Sequence, residues 1–554
     1  MNLRGVGVSP GIGHGPAYVL TASVPEPPEG STYTGEAEQE KERASAALSR
    51  VAGELEARGN QAGGEAGEIL KAQALMAEDP GLVVKVRTLI DRGLAAPRAV
   101  FEAFTKYRDV LSGAGGYLGE RAADLDDIRD RVIALLTAHP MPGLPAAPEV
   151  PYVLVATDLA PADTALLSRR DVAGFVTEQG GPTSHTAIMA RAMGVPAVVA
   201  CPGATGIPAG VPVLVDGTTG EVSLEPSDDH VAGARDAAAA KQAAIGAAKG
   251  PGRTADGHAV PLLANVAGPA ELAEALAAGA EGVGLYRTEF LFLDRAEAPA
   301  VEEQRRAYRA ALEAVPGATV VVRTLDAGAD KPLRFLPAPA EPNPALGERG
   351  LRLFRRFPEV MDAQLRALAA AAEDAPAELL VMAPMVATAE EAGWFADACR
   401  ARGLSKVGVM IEIPSAALRA GQLAGVVDFV SLGTNDLAQY AFAADRQLGT
   451  VSGLQDPWQP ALLDLIAMSC GHGKPVGICG EAAADPALAC VLVGLGATTL
   501  SMGAGALGAV RAALAAHTLE QCRMAARTAR AQVTAANARA VARTHLPGLA
   551  ALGL

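Results

Sequence analysis

Glu281-Gly282-Val283-Gly284-Leu285-Tyr286-Arg287-Thr288-Glu289-Phe290-Leu291-Phe292 sets a short apolar run, Gly282 to Tyr286, directly before a charged tripeptide, Arg287-Thr288-Glu289. A glycine-bounded run of this length reads as a buried strand whose polar residues gather at its carboxyl end. Outward from it, the same unit recurs about eight times between residues 253 and 554, alternating with helical segments. The predicted strands are Val260 to Asn265, Gly282 to Arg287, Thr319 to Arg323, Leu379 to Pro384, Val407 to Glu412, Phe429 to Leu432, Pro475 to Cys479 and Thr498 to Met502. Eight is the count that closes a parallel (β/α)8 TIM-type barrel. An open doubly wound sheet is the competing arrangement, and the length of the alternating region favours the barrel.

In such a barrel the carboxyl ends of the strands share one mouth, where barrel enzymes keep their chemistry. Arg287 ends the second strand, and the third leads through Arg323 to Asp326 and Lys331. Arginine forks match phosphate and carboxylate oxygens in pairs. Glu412 ends the fifth strand, and the sixth runs into Gly433-Thr434-Asn435-Asp436, with Arg446 following. Glu412 and Asp436 are two hard oxygen donors that suit Mg²⁺ while leaving positions open for substrate. Cys479, flanked by Gly477 and Gly480, ends the seventh strand; a thiol placed opposite this cluster suits proton exchange better than simple packing.

Upstream, Gly180-Gly181-Pro182-Thr183-Ser184-His185-Thr186-Ala187-Ile188-Met189-Ala190-Arg191 places one histidine behind a glycine pair at the start of an apolar helical pattern. Thr183 or Ser184 can cap the helix, and its free N–H groups favour an anion. His185 is therefore the candidate nucleophile for a phosphoryl group. The remaining histidines lack such flanks.

Residues from about 35 to 140 show helical patterning, at Glu38 to Ala57, Glu68 to Met76, Pro97 to Leu111 and Leu118 to Leu136, broken at Asp79-Pro80 and at Gly113 to Gly116. This predicts a helical bundle. Short strand patterns flank it, at Gly5 to Val8 before and at Tyr152 to Val155, Gly174 to Thr177, Ala197 to Val199 and Val213 to Val215 after, so the bundle reads as an insert in an α/β domain. Asp216 to Val222 reads as a hairpin turn. An alanine-rich helix from Asp228 to Lys249, stopped by Gly250-Pro251-Gly252, is the linker candidate.

The 554 residues carry a formal charge of −15, and half are hydrophobic. Large cores are affordable without staples, and the acidity excludes a basic nucleic-acid footprint. Six scattered cysteines lack disulfide or zinc spacing, which points to a reducing cytoplasm. No segment reads as a signal peptide or as an apolar membrane span.

Together, Gly180 to Arg191, Glu281 to Phe292, Asn343-Pro344-Ala345-Leu346-Gly347-Glu348-Arg349 and Ser431 to Tyr440 resemble the enzyme I family of the bacterial phosphoenolpyruvate:sugar phosphotransferase system. The resemblance covers essentially the whole chain, including Ser9-Pro10-Gly11-Ile12-Gly13. It implies that His185 accepts the phosphoryl group of phosphoenolpyruvate and passes it to a histidine of the carrier HPr, releasing pyruvate. It further implies that Arg287, Arg323, Asn435, Asp436 and Arg446 bind phosphoenolpyruvate, that Glu412 and Asp436 ligate Mg²⁺, and that Cys479 is the proton donor. The implied division is a phosphohistidine α/β domain at 1–34 and 141–227, a helical HPr-binding domain at 35–140, a linker helix at 228–252, and a phosphoenolpyruvate-binding barrel at 253–554 that also forms a homodimer. Asp326-Ala327-Gly328-Ala329-Asp330-Lys331 departs from the family with an alanine where a second glycine is more usual. Two alternatives share parts of this pattern: a phosphoenolpyruvate synthase or pyruvate phosphate dikinase, which would need an ATP-binding domain, and a non-catalytic phosphoenolpyruvate-sensing regulator, which would not need His185 or Cys479.

Overall fold

The computed structural model describes all residues apart from 1, 21–23, 63, 115–121, 140–149, 160–171, 182–183, 294, 329–331, 338–340 and 446–448. The chain divides into two compact units, Met1–Ala238 and Ala239–Leu554.

The first unit holds an eight-stranded sheet. Its strands are β1 (Asn2–Arg4), β2 (Val6–Ser9), β3 (Ile12–Val19), β4 (Tyr152–Ala156), β5 (Val172–Thr177), β6 (Ala197–Val199), β7 (Pro212–Asp216) and β8 (Glu221–Leu224), in the order β1-β8-β7-β3-β4-β5-β6-β2. The centre, β3 to β6, is parallel, and the pairs β3/β7, β7/β8, β8/β1 and β6/β2 are antiparallel. β4 is buried along its whole length, as its continuous apolar run requires. The predicted hairpin is present: Asp216 Oδ1 accepts from the Thr218 and Thr219 amides at 2.8 and 3.1 Å, and Gly220 takes φ +78°.

Two strands escape the sequence reading, β1 and β3. β3 carries glycines and a proline that weaken strand propensity, and their purpose is tertiary. A Cβ on Gly13 would stand 2.1 Å from the Ala173 carbonyl oxygen, and one on Gly15 2.4 Å from that of Pro151.

The bundle comprises α1 (Ala37–Ala62), α2 (Gly64–Ala77), α3 (Pro80–Asp91), α4 (Ala96–Ala114) and α5 (Ala122–Thr137). Leu48, Val51 and Leu55 on α1 recur at three- and four-residue spacing and are buried with Val86, Ile90, Val100, Phe104, Ile128 and Val132. This core continues onto Tyr152, Leu154 and Phe175 of the sheet. α3 corrects the sequence reading, which treated Asp79-Pro80 only as a break. Asp79 is the N-cap of a new helix, with Oδ1 accepting from the Leu82 amide at 3.0 Å and Pro80 in the first turn. Residues 118–121 of the last predicted bundle helix lie outside the described residues. Between β5 and β6 lies α6 (His185–Met193); α7 (Asp228–Ala247) follows β8, and the division between the two units falls within it.

The second unit is a closed parallel barrel of β9 (Leu262–Val266), β10 (Val283–Tyr286), β11 (Thr319–Arg323), β12 (Glu378–Ala383), β13 (Val407–Ile411), β14 (Phe429–Gly433), β15 (Val476–Cys479) and β16 (Thr499–Met502). β16 closes onto β9 with Leu500 opposite Leu262 and Met502 opposite Ala264. The open doubly wound alternative is thereby excluded. Alternation within the strands divides the packing. Leu285, Val321, Met382, Met410, Phe429 and Cys479 form a cluster of their own, while Val283, Val320, Val322, Val381 and Val409 join the larger core shared with the helices.

Candidate active site

The carboxyl ends of the barrel strands surround a cavity of about 360 Å³. Arg287 follows β10, Arg323 ends β11, Glu412 follows β13, Asn435 and Asp436 follow β14, and Cys479 ends β15; all six line this cavity. Thr434 to Phe442 forms a helix that starts at the cavity wall, so the first turn presents free backbone N–H groups there. Gly480, at φ +109°, is required beside it: a Cβ would stand 2.9 Å from Thr434 Oγ1 and 3.2 Å from Asn435 Oδ1.

Arg323 is buried and pairs with Glu289, with Asp326 Oδ2 at 3.3 Å and, more loosely, with Glu412 Oε1 at 3.9 Å. Arg287 is exposed into the cavity and has no ion-pair partner among the described residues, which leaves its guanidinium available to an anion. Glu412 is 1% exposed, and its Oε2 accepts from the Met385 amide at 2.9 Å. Met385 holds φ +58°, a strained setting for a residue with a side chain, and it directs that N–H at the carboxylate. Burial, and then the neighbouring Asp436 charge, push Glu412 up to about 7. Among the described residues around the cavity four carboxylates, Glu289, Asp326, Glu412 and Asp436, face three guanidiniums, Arg287, Arg323 and Arg349. Glu412 and Asp436 are thus a repelling pair of hard oxygen donors, and a divalent cation fits them because it relieves that repulsion.

Cys479 donates its S–H to the Leu432 carbonyl oxygen at 3.2 Å and lies 3.9 Å from Ser431 Oγ. Burial, with the Glu412 charge second, pushes the thiol up to about 11. It is a protonated donor at neutral pH rather than a thiolate nucleophile.

In the first unit, His185 opens α6. Ser184 is the N-cap, with Oγ accepting from the Ala187 amide at 3.3 Å, and Gly194 closes the helix at φ +64°. Gly180 takes φ +96°, and Thr186 Oγ1 donates to Asp158 Oδ1 at 3.3 Å, which ties the helix start to the loop after β4. Of the two predicted caps, Ser184 performs the role and Thr183 lies outside the described residues.

Residues 239–519 match the family described as PEP-utilising enzyme, PEP-binding domain. Residues 148–220 match its mobile domain and residues 4–121 its N-terminal domain. A phosphoenolpyruvate-protein phosphotransferase of Streptomyces coelicolor is 59% identical over 552 residues, covering 99% of each chain. The chain belongs to the phosphoenolpyruvate-protein phosphotransferase family. Proteins of the same name from Haloferax volcanii, 42% identical over 93% of this chain and 94% of the relative, and from Bacillus subtilis, 39% identical over 91% and 92%, match it over most of its length.

For this member of the phosphotransferase family, two sequence-predicted residues at the mouth, Arg446 and Lys331, lie outside the described residues. One residue that organises the mouth has no predicted role: Arg349. It is 1% exposed and bridges two carboxylates, with Nε and Nη2 donating to Asp326 at 2.9 and 2.8 Å and Nη1 and Nη2 donating to Asp436 at 3.1 and 3.3 Å. Its Nη1 also donates to Tyr440 OH at 3.3 Å. The only signal in the sequence is its place at the end of the Asn343 to Arg349 motif. Each Asp436 oxygen has a second lone pair, so the Arg349 bonds leave acceptor capacity for a cation.

Proposed function

We propose that this enzyme takes the phosphoryl group of phosphoenolpyruvate onto His185 and passes it to a histidine of the phosphocarrier HPr, releasing pyruvate, as the first step of phosphotransferase sugar uptake. The observation that carries this reading is the shared cavity at the barrel mouth, where an uncommitted guanidinium, Arg287, stands with Arg323 across from a protonated thiol, Cys479. Arg287 and Arg323 hold the phosphate and carboxylate oxygens, and Asn435 with the amides of the 434–442 helix orients them. Arg446 joins them by family resemblance. Glu412 and Asp436 would hold Mg²⁺, which when bound supplies positive charge against the substrate oxygens.

A nitrogen of the His185 imidazole attacks phosphorus as the bond to the enol oxygen breaks, and the electron pair stays on the pyruvate enolate. The Cys479 proton then goes to the methylene carbon, giving pyruvate. Phospho-His185 next gives the phosphoryl group to the carrier.

Nucleophile and substrate cavity belong to different units, so the segment 228–252 acts as the hinge through which residues 1–34 and 141–227 reach both the barrel, 253–554, and a carrier docked on 35–140. The barrel would also carry the homodimer contact. A cytoplasmic location fits the cysteine usage, and no described helix is long and apolar enough to cross a membrane. The acidic chain has no nucleic-acid role in this reading.

The test is labelling with radioactive phosphoenolpyruvate, Mg²⁺ and HPr. The wild type acquires acid-labile, base-stable label and hands it to HPr, and His185→Ala acquires none. Equal labelling of His185→Ala, or a requirement for ATP, sinks the reading. In the same assay Cys479→Ala keeps transfer from phospho-His185 to HPr, while turnover with phosphoenolpyruvate falls by about 100-fold or more. Equal loss of both half-reactions would make Cys479 a folding residue.

A further inference from the structure

The tripeptide Arg287-Thr288-Glu289 gives the mouth one substrate-facing guanidinium, and phosphoryl transfer as described uses neither of the two residues behind it. Both of these turn to Arg323. Tyr286 pairs with Val322 across the β10/β11 ladder, so the chain leaves β10 beside Arg323. The turn Glu289–Leu291 then holds it there, with the Phe292 and Leu293 amides both donating to the Glu289 carbonyl oxygen at 2.9 Å. Thr288, fully buried, donates from Oγ1 to the Arg323 carbonyl oxygen at 3.0 Å. Glu289 Oε1 accepts from Arg323 Nη2 and from the Asp326 amide, the latter at 3.3 Å. One residue thus fixes the Arg323 backbone and the next its guanidinium.

An ion pair built for stability alone closes as a fork, with two guanidinium nitrogens on two carboxylate oxygens. This pair does not. Arg323 Nε and Glu289 Oε2 are buried, and neither makes a hydrogen bond among the described residues. Native interiors leave few polar atoms in that condition, and a catalytic role is one recognised reason for it. Both residues line the mouth cavity. The bond through Nη2 therefore sets where the guanidinium sits while leaving Nε uncommitted.

We infer that Thr288 and Glu289 are positioning residues, which hold Arg323 in the pose that receives a phosphoenolpyruvate oxygen, and that Glu289 acts through the place of its Oε1 acceptor rather than through its charge. A long guanidinium side chain that is already ordered loses less freedom when an anion binds, so the clamp contributes affinity without touching substrate. Charge alone works in the opposite direction. A carboxylate beside an anion site repels the anion, and removing that charge would tighten binding. The inference rests on the phosphoenolpyruvate reading of the mouth.

The experiment measures phosphoenolpyruvate binding in the presence of Mg²⁺ by calorimetry on the full-length His185→Ala protein, which does not turn the ligand over. Glu289→Gln, Glu289→Asp and Thr288→Val are added to it singly. Glutamine keeps an oxygen at the Oε1 position and removes the charge, whereas aspartate keeps the charge and withdraws the oxygen by one methylene. Glu289→Asp is expected to weaken binding about tenfold and Thr288→Val about threefold, while Glu289→Gln binds no more than about twofold more weakly than the parent. Parent-like affinity of folded Glu289→Asp overturns the inference, as does a loss in Glu289→Gln that equals or exceeds the loss in Glu289→Asp. Should Glu289→Asp fail to fold, Thr288→Val decides, and parent-like affinity there overturns it. A parent that does not bind phosphoenolpyruvate overturns both readings, whereas a binding parent with Glu289→Asp unaltered overturns this one alone.

Discussion

Removing the Arg349 guanidinium would take its charge-assisted hydrogen bonds from two buried carboxylates, Asp326, which keeps Arg323, and Asp436, both already close to Glu412 or Glu289. Breaking a buried pair from one side typically costs about 3–5 kcal/mol. Arg349→Met should therefore lower the stability of the barrel unit by about 3 kcal/mol, read as a lower urea midpoint for that unit, with the first unit's transition unchanged. An unmoved barrel transition would mean the bridge contributes nothing. Arg287, Arg323, Glu412, Asn435, Asp436 and Cys479 were legible because each sits at or just after the carboxyl end of a strand, and the barrel topology turns that position into a shared location. Arg349 was not. It reaches the mouth from a turn after Pro344–Leu346, and no periodicity reports which carboxylates a loop arginine will meet.

Elements were legible in proportion to how much of their pattern is local. The eight barrel strands are buried apolar runs between glycines or charges, and each was found to within two residues. α3 was missed because its defining signal, a cap followed by proline, is identical to that of a turn until the residues beyond it are seen to bury. Asp79→Ala should cost about 1 kcal/mol of stability through loss of the Leu82 amide bond, measured by chemical denaturation of the full chain, and Asp79→Asn should recover most of it. If the alanine variant is as stable as the wild type, the cap is dispensable. β3 was missed for the opposite reason. Its glycines oppose strand formation locally and are tolerated because the backbone carbonyls of Ala173 and Pro151 pass where side chains would stand.

For the whole molecule, the composition ties stability to alkaline pH. All six cysteines are free and buried, and four in the barrel unit are shifted strongly: burial pushes Cys399 and Cys470 up to about 12 and Cys479 to about 11, and the hydrogen bond with Cys522, then burial, raises Cys490 well above its ordinary value. An unfolded chain releases these protons above its ordinary thiol value of about 8.5, while the folded barrel retains them. The unfolded state therefore gains as pH rises, and stability present at pH 8 is lost between about pH 9 and 11, by up to about 1.4 kcal/mol per pH unit per thiol. Urea midpoints under reducing conditions at pH 8, 9.5 and 10.5 should fall in that order. A flat profile would mean that the thiols titrate in the folded barrel as they do in the unfolded chain. The barrel, the helical insert and the residue set at the mouth follow from the sequence, because periodicity and position along a strand are properties of the chain itself. The Arg349 bridge and the protonated state of Cys479 were decided by tertiary structure, because each depends on which distant groups exclude water from the same place.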